Sequence, residues 1–371
     1  MTVTKPQVMR AVDIKGGSGP ASALFINDAT PVPEVQSGEC LVKVKAFGIN
    51  RGDILQRDGK YPGISHLTKI MGLEFSGVIA WINEDQTGST KYGASEETWK
   101  VGDEVFGLLV GGGYAEYVNV NTRMLVRKPK ELSFEQTGGL CETWFTALQA
   151  LYFVGGYKSG STRSILWHAG ASAVSVAGIQ LSRDAHLPAG KLPSESESMH
   201  AAPKVFATAR KQEKCDFVVN ELGATGAVDL SEHPDKRSWA AKVRELNGGR
   251  GVDLVIDFLG GPYLEANLDV LDIDGRIVQL GWLDGPIAPQ GVNIASILAK
   301  RAGVQGSQLR SRALEYQIGL RDFFVGQVLG GLVEGRFKHV VERVVPWDRV
   351  QEAHELLESN ATKGKVVCVI D

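Results

Sequence analysis

One stretch limits what this chain can become more than any other: Ser164-Ile-Leu-Trp-His-Ala-Gly-Ala-Ser-Ala-Val-Ser-Val-Ala-Gly-Ile-Gln-Leu181. Ser164 to His168 is a short apolar run of the kind that forms a buried strand of a parallel sheet. Small residues from Ala169 to Ala173 make a turn, and Val174, Ala177, Gly178 and Leu181 then recur at helical spacing. Strand, small-residue turn and helix is the setting in which backbone N–H groups and a positive helix end receive a pyrophosphate. The glycine pattern is thinned: Gly170 is present, whereas Ala173 and Ser175 stand where glycine is usual. Taken alone, the stretch suits either a dinucleotide cradle or an ordinary strand–helix crossover of an α/β protein.

The flanking sequence sets the frame. Met9 to about Val126 reads as short strands between Gly, Pro and Asn turns, with candidates at Leu41–Phe47, Gly72–Ile82, Asp103–Leu109 and Tyr114–Val118. Such spacing predicts a β-rich, barrel-like domain, with the polar run Glu84–Lys100 as an exposed loop. From Ser133 to Phe153 the period is helical, with Ser133 as N-cap and Gln136 three residues on. Strands at Ile165–His168, Val205–Thr208, Ala227–Leu230, Leu254–Asp257 and Arg276–Leu280 then alternate with helical segments. That rhythm predicts a doubly wound parallel sheet. The polar tract Asp184–Pro203 exceeds what the helix-to-strand connection needs and reads as an insertion, although a misjudged exon boundary would give the same sequence. A helix from Leu314 to about Val333, strands at Val340–Val345 and Gly364–Ile370 and a helix Trp347–Glu358 form a tail expected to return to the first domain.

At 371 residues the chain has room for two cores, and 43% hydrophobic with 22% charged residues is ordinary for a globular protein. The net charge of −3 gives no support to a nucleic-acid or anionic-membrane partner. No apolar run approaches the ~20 residues of a membrane helix, and Met1–Arg10 has neither signal-peptide nor transit-peptide character, so the expected location is cytoplasmic. The four cysteines (Cys40, Cys141, Cys215 and Cys368) form no CxxC pair, and the seven histidines no HExxH; no metal site is signalled.

Cofactor choice is legible at the end of the second strand of the α/β region. An acidic residue there would bind a ribose diol, but the sequence reads Thr208-Ala-Arg-Lys-Gln-Glu-Lys214. Arg210, Lys211 and Lys214, with the Thr208 hydroxyl, suit a 2′-phosphate and hence NADPH. A solvated helix start is the plainer alternative.

Asn50-Arg-Gly-Asp-Ile-Leu-Gln-Arg-Asp-Gly-Lys-Tyr-Pro62, Gly72-Leu-Glu-Phe-Ser-Gly77 and Val101-Gly-Asp-Glu-Val-Phe-Gly107 resemble the medium-chain dehydrogenase/reductase superfamily, in its zinc-independent quinone oxidoreductase (zeta-crystallin-like) branch. Glu142-Thr-Trp-Phe-Thr-Ala147, His168-Ala-Gly170 and Leu309-Arg-Ser-Arg312 are similar to the tumour-suppressor-inducible quinone oxidoreductase subgroup. The resemblance implies a GroES-like barrel domain over residues 1–155, completed by 315–371, and a Rossmann NADPH-binding domain over 156–314. It also implies a homodimer that pairs the Arg276–Trp282 strand across a two-fold axis. Zinc-dependent relatives carry cysteine and histidine ligands where this chain has Asn50 and Leu73, with Glu74 expected in turn packing, so zinc chemistry is not expected.

By the same resemblance Asn50 and Thr146 hold the nicotinamide or its carboxamide, and Tyr61 covers the substrate space. Gly170, Ser172, Ala173, Val174 and Ser175 would meet the pyrophosphate, with the Ser175 hydroxyl able to donate to it. Leu259, Gly260, Leu280 and Gly281 would line the cofactor, and Arg310, with Arg312, would close on cofactor or substrate. A tyrosine that relatives place near the adenosine appears here as Leu230. The function implied is NADPH-dependent reduction of quinones or α,β-unsaturated carbonyls. A trans-acting enoyl reductase of polyketide synthesis and a binding or stress protein with an impaired cofactor site are the rivals.

Overall fold

Glycine positions and strand ends shape both sheets of the computed structural model, which describes residues 6–61, 68–82, 89–92, 95–157, 162–184, 187 and 202–371. The first elements are β1 (Val8–Ile14), β2 (Leu24–Pro31), β3 (Glu39–Gly48), α1 (Arg51–Arg57), β4 (Glu74–Ile82), β5 (Ser89–Tyr92) and β6 (Ser95–Thr98). Next come β7 (Glu104–Leu108), β8 (Tyr117–Asn121), β9 (Leu125–Arg127), α2 (Phe134–Thr137) and α3 (Cys141–Leu148). The middle of the chain holds β10 (Ser164–Trp167), α4 (Ala173–Arg183), β11 (Lys204–Ala209), α5 (Gln212–Asn220), β12 (Gly226–Asp229), α6 (Trp239–Leu246) and β13 (Val252–Asp257). It continues with α7 (Leu264–Val270), β14 (Leu271–Gln279), α8 (Ala295–Ala299) and β15 (Gly303–Gly306). The tail is α9 (Leu314–Gln327), α10 (Leu329–Val333), β16 (Val341–Pro346), α11 (Val350–Glu358) and β17 (Lys365–Val369).

One compact unit comprises Met1–Phe145 and Arg310–Asp371. Its seven-stranded sheet runs β16-β17-β3-β4-β7-β9, with β8 also on β3. The tail strand β17 is antiparallel to β3 and parallel to β16, so the end of the chain completes the sheet begun near its start. The alternation of Leu41–Phe47 is real but one-sided: Lys43 and Lys45 reach outward while Leu41, Val42, Val44, Ala46 and Phe47 are buried. The expected loop Glu84–Lys100 instead contains the antiparallel pair β5–β6, and its residues 84–88 and 93–94 lie outside the described residues. Ser89-Thr-Lys-Tyr92 and Ser95-Glu-Glu-Thr98 carry no apolar run by which a strand could be read.

The helical stretch from Ser133 is divided. Ser133 and Gln136 form the reciprocal cap that the spacing predicts, at 3.2 and 2.9 Å. After α2 the chain interrupts at Gly138 and Gly139, resumes as α3, and ends in a π-helical turn, Gln149–Val154. The interruption is a packing requirement: a Cβ on Gly138 would come within 2.9 Å of the Ala46 backbone, and one on Gly139 within 2.8 Å of the Lys365 stem.

The second unit, Thr146–Leu309, holds a six-stranded parallel sheet in the order β12-β11-β10-β13-β14-β15. That is the doubly wound order of a dinucleotide-binding fold, with β10 as first strand. β15 is absent from the expected strands; Gly303-Val-Gln-Gly306 has no apolar run to reveal it. It also corrects the expected dimer edge, because β14 is already hydrogen-bonded on both sides, to β13 and β15. The tract Asp184–Pro203 lies almost wholly outside the described residues. No helix among the described residues is long and apolar enough to cross a membrane.

Trp167 fixes how α4 lies on β10. Its indole is buried and donates to Ser182 Oγ at 3.1 Å, and a Cβ on Gly178 would stand 2.0 Å from its ring. Glycine in mid-helix ordinarily costs ~1 kcal/mol against alanine. Gly178→Ala is nevertheless expected to destabilise by about 1–3 kcal/mol, because overpacking against a closed ring outweighs the propensity gain; urea denaturation of the two proteins measures the sign.

Candidate active site

The turn after β10 is built around a neutral histidine. His168 is buried, Asn267 Oδ1 accepts from its Nε2–H at 2.7 Å, and its Nδ1 accepts the Thr208 hydroxyl at 2.8 Å. Burial pulls its pKa from 6.5 down to about 4, with the Asn267 contact opposing. Ala169 takes a left-handed φ of 48°, and the Gly170 N–H reaches the Thr208 carbonyl at 2.8 Å. Gly170 must lack a side chain: its Cβ would lie 2.8 Å from that of Ala207. Ser172 caps α4, its Oγ accepting the Ser175 N–H at 3.4 Å. Ser172, Ala173 and Val174 are half-buried at the helix start, where the first amides of an α-helix lack intrahelical acceptors.

Two expected hydroxyl donors are committed elsewhere. Ser175 is buried and gives its proton to the His168 carbonyl at 2.8 Å, which closes the turn rather than facing a ligand. Thr208 is equally buried and serves His168. Of the three cations after β11, Arg210 and Lys211 are exposed, whereas Lys214 packs in the buried face of α5. Arg210 pairs with Asp284. Leu259 and Gly260 form the turn after β13, held by Asp257, whose Oδ1 accepts the Leu259 N–H at 2.7 Å. Burial raises the Asp257 pKa from 3.8 to about 6, against the lowering effect of these hydrogen bonds. Gly260 has φ of 93° and no room for a Cβ, which would meet the Gly285 carbonyl at 2.6 Å. Leu280 and Gly281 follow β14 half-buried, and Leu230 belongs to the apolar core. Gly170, Arg210, Gly260 and Gly281 thus all stand at the carboxyl ends of parallel strands, where α/β sheets bind ligands.

In the other unit the expected site residue Asn50 heads α1, and its amide is enclosed by two partners that sequence reading did not place. Lys365 Nζ donates to Asn50 Oδ1 at 2.6 Å, while Asn50 Nδ2 donates to Glu74 Oε1 at 3.0 Å and the Gly48 carbonyl at 3.3 Å. Lys365 and Glu74 form a buried ion pair at 2.5 Å, with side chains 2% and 0% exposed. Glu74 Oε2 accepts the Glu142 N–H at 2.9 Å. Glu74 is therefore the charged centre of the cluster rather than turn packing, and the cation beside it is an ammonium. Burial, then the nearby Glu74 charge, pushes the Glu142 pKa from 4.5 to about 8. Asp53 rises to about 6 through burial, although the Asn50 and Gly72 amides that it accepts favour its ionised form. Among the described residues no group of three or more His, Cys, Asp and Glu side chains could hold a metal ion.

Arg310 is not a surface arm. It is buried, donates to the Val110 carbonyl at 2.6 Å and to Gln56 Oε1 at 2.9 Å, and stands 4.9 Å over the Tyr61 ring. Its buried Nη1 has no hydrogen-bond partner among the described residues. Arg312 lies 4.6 Å over Tyr316 instead. Thr146 is half-buried in α3, and Pro62 lies outside the described residues. The apposition of Arg310 to Tyr61 had no signal in the sequence, since residues so distant along the chain meet only through the fold.

Two family descriptions match the chain: "Alcohol dehydrogenase GroES-like domain" over residues 36–130 and "Zinc-binding dehydrogenase" over residues 222–368. The chain belongs to the medium-chain dehydrogenase/reductase superfamily. Within it, quinone oxidoreductase of Lama guanicoe is 27% identical over 372 residues, spanning 99% of both chains. The crystal structure of Escherichia coli quinone oxidoreductase complexed with NADPH matches with a TM-score of 0.77 at 23% identity, over 98% of this chain and all of that one. CurK enoyl reductase matches with a TM-score of 0.78 at 23% identity, over 99% of this chain and 100% of that chain. The last two share the fold.

The buried pair makes two measurable demands. Lys365→Met leaves Glu74 uncompensated and is expected to cost about 3–5 kcal/mol in urea denaturation, with Glu74→Gln in the same chain recovering part of it. Glu142 binds its proton more tightly folded than unfolded, so wild-type stability is to fall as pH rises from 4.5 to about 8. Glu142→Gln is expected to flatten that slope and to be the more stable protein at pH 8; equal slopes in both would disprove the assignment.

Proposed function

We propose that this protein is a zinc-independent, NADPH-dependent reductase of quinones or α,β-unsaturated carbonyls, in the quinone oxidoreductase branch of its superfamily. The observation that carries the reading is the Gly170 turn leading into α4, with Arg210 and Lys211 exposed at the carboxyl end of the next strand. The donor set fits the cofactor: helix-end amides suit a pyrophosphate, and a guanidinium with an ammonium suits a 2′-phosphate. Ala173 is half-buried at that helix start, with a Cβ where glycine is usual. The quinone oxidoreductase relative, matched end to end, supports the substrate class.

When bound, NADPH supplies hydride from C4 of its reduced nicotinamide. The chain's part is alignment and exclusion of water. The unit Thr146–Leu309 holds the cofactor through the α4 amides, Arg210 and Lys211, with Leu259, Gly260, Leu280 and Gly281 as apolar and backbone lining. The unit Met1–Phe145 with Arg310–Asp371 serves the acceptor. Tyr61 offers a ring face to a flat acceptor, and the Nη1 of Arg310, without a hydrogen-bond partner among the described residues, donates to the acceptor oxygen as negative charge develops there. Thr146 contacts the carboxamide, whereas the committed amide of Asn50 positions Glu74 and Lys365. A proton from solvent completes reduction, so no general acid is required. Zinc has no part in this reading, because Asn50 and Leu73 stand where zinc-dependent relatives carry their ligands. The protein is read as cytoplasmic and as a homodimer, paired through β15, an edge strand of its sheet, rather than through β14.

Titration of dialysed protein with NADPH and NADH, followed by nicotinamide fluorescence, tests the reading, and addition of an ortho-quinone is followed at 340 nm. Tight binding of NADPH with quinone-dependent oxidation is expected, and Arg210→Ala with Lys211→Ala is expected to weaken NADPH by about tenfold or more. Failure to bind either nucleotide at millimolar concentration, or turnover that requires bound zinc, would sink it. Turnover of enoyl thioesters but not quinones transfers the case to an enoyl reductase.

A further inference from the structure

The anion that holds Arg210 lies within the binding edge itself. Asp284 stands in the loop after β14, and backbone hydrogen bonds lace that loop to the turn after β13. The Leu283 N–H donates to the Phe258 carbonyl at 2.8 Å, the Asp284 N–H to the Leu259 carbonyl at 3.0 Å, and the Gly261 N–H to the Gly285 carbonyl at 3.0 Å. The carboxylate so held is 14% exposed and faces two cations from other elements. One oxygen accepts from Arg210; the other pairs with Lys236 Nζ at 2.9 Å. Those two side chains are 51% and 40% exposed, so the carboxylate is the fixed member and the cations are the movable ones.

Together they line a cavity of about 390 Å³ that Ser231, His233 and Tyr263 also border. Its wall is anchored. Lys236 holds a left-handed φ of 58°, its carbonyl accepts the indole N–H of buried Trp239 at 3.0 Å, and its ammonium lies 5.5 Å from the Tyr263 ring centre. His233 Nδ1 is tied to Ser238 Oγ at 2.7 Å. Lys236 thus joins Arg210 as a second cation at this edge, supplied by the connection between β12 and α6 rather than by the segment after β11.

Resting on the reductase reading above, we infer that Asp284 sets nucleotide selectivity. It is an internal anion that occupies both cations and weakens binding of 2′-phosphorylated nucleotides relative to those with a free ribose diol. A 2′-phosphate reaches Arg210 and Lys236 only by displacing the carboxylate, and then lies beside a like charge that its backbone hydrogen bonds keep in place. A ribose diol has no such conflict, since a carboxylate accepts its hydroxyl protons. The basic edge therefore favours NADPH less than its cations alone would.

Calorimetric titration of wild type, Asp284→Asn, Asp284→Ala and Lys236→Met with NADPH, NADH and 2′,5′-ADP decides the matter. Asp284→Asn is expected to raise the NADPH-to-NADH affinity ratio by about tenfold and to tighten 2′,5′-ADP in step, the gain shrinking at high salt. Asp284→Ala should move the ratio the same way, which assigns the effect to the lost charge, and Lys236→Met should lower it. A ratio unchanged in both Asp284 variants, or lowered as in Lys236→Met, overturns the inference while wild-type NADPH binding keeps the reductase reading. Wild type that binds none of the three nucleotides overturns both.

Discussion

A single ammonium holds one unit together electrostatically. Lys365 arrives on β17, the last strand of the chain, and meets Glu74 at the start of β4 and Asn50 at the head of α1. Two groups of opposite charge withdrawn from water are tolerable only when each is paired and its remaining positions are hydrogen-bonded. That condition is met: Glu74 also receives the Asn50 amide and the Glu142 N–H. The cluster in turn demands glycine at 48 and 139, since a Cβ at either would intrude on the Lys365 stem.

The other unit is organised by neutrality at the strand ends. His168 stays uncharged because burial outweighs its hydrogen bond to Asn267, so the turn carries no positive side chain. Its polar groups are matched internally: Thr208 to His168, Ser175 to the His168 carbonyl, Gly170 to the Thr208 carbonyl. In the proposed function, contact with the cofactor therefore falls to the helix-end amides and to charges at the rim. Those rim charges are opposed by Asp284, so the two units solve the same problem differently. One neutralises a buried acid with a lysine, the other restrains exposed cations with a fixed acid.

The doubly wound sheet was legible because a buried parallel strand writes itself as a continuous apolar run, as at Ser164–Trp167. The cap at Ser133 and Gln136 was legible because it depends on residues three apart. β15 and the β5–β6 hairpin left no such trace, since neither carries an apolar run. Thr208, Ser175 and Lys214 misled for one reason: residue type and position name a possible donor, but only packing says whether the donor already has a use.

The sequence by itself therefore determined most of the strands and helices, that Gly170 opens the turn into α4, and that cations follow the second strand of the sheet. Those features depend on neighbours in the chain, which carry their own spacing. Only the tertiary structure decided that Lys365 neutralises Glu74, that Arg310 covers Tyr61 and that Asp284 answers Arg210 and Lys236. Each of these joins residues far apart in sequence, and charge or hydrogen bonding acts on distance in space, which no local pattern records.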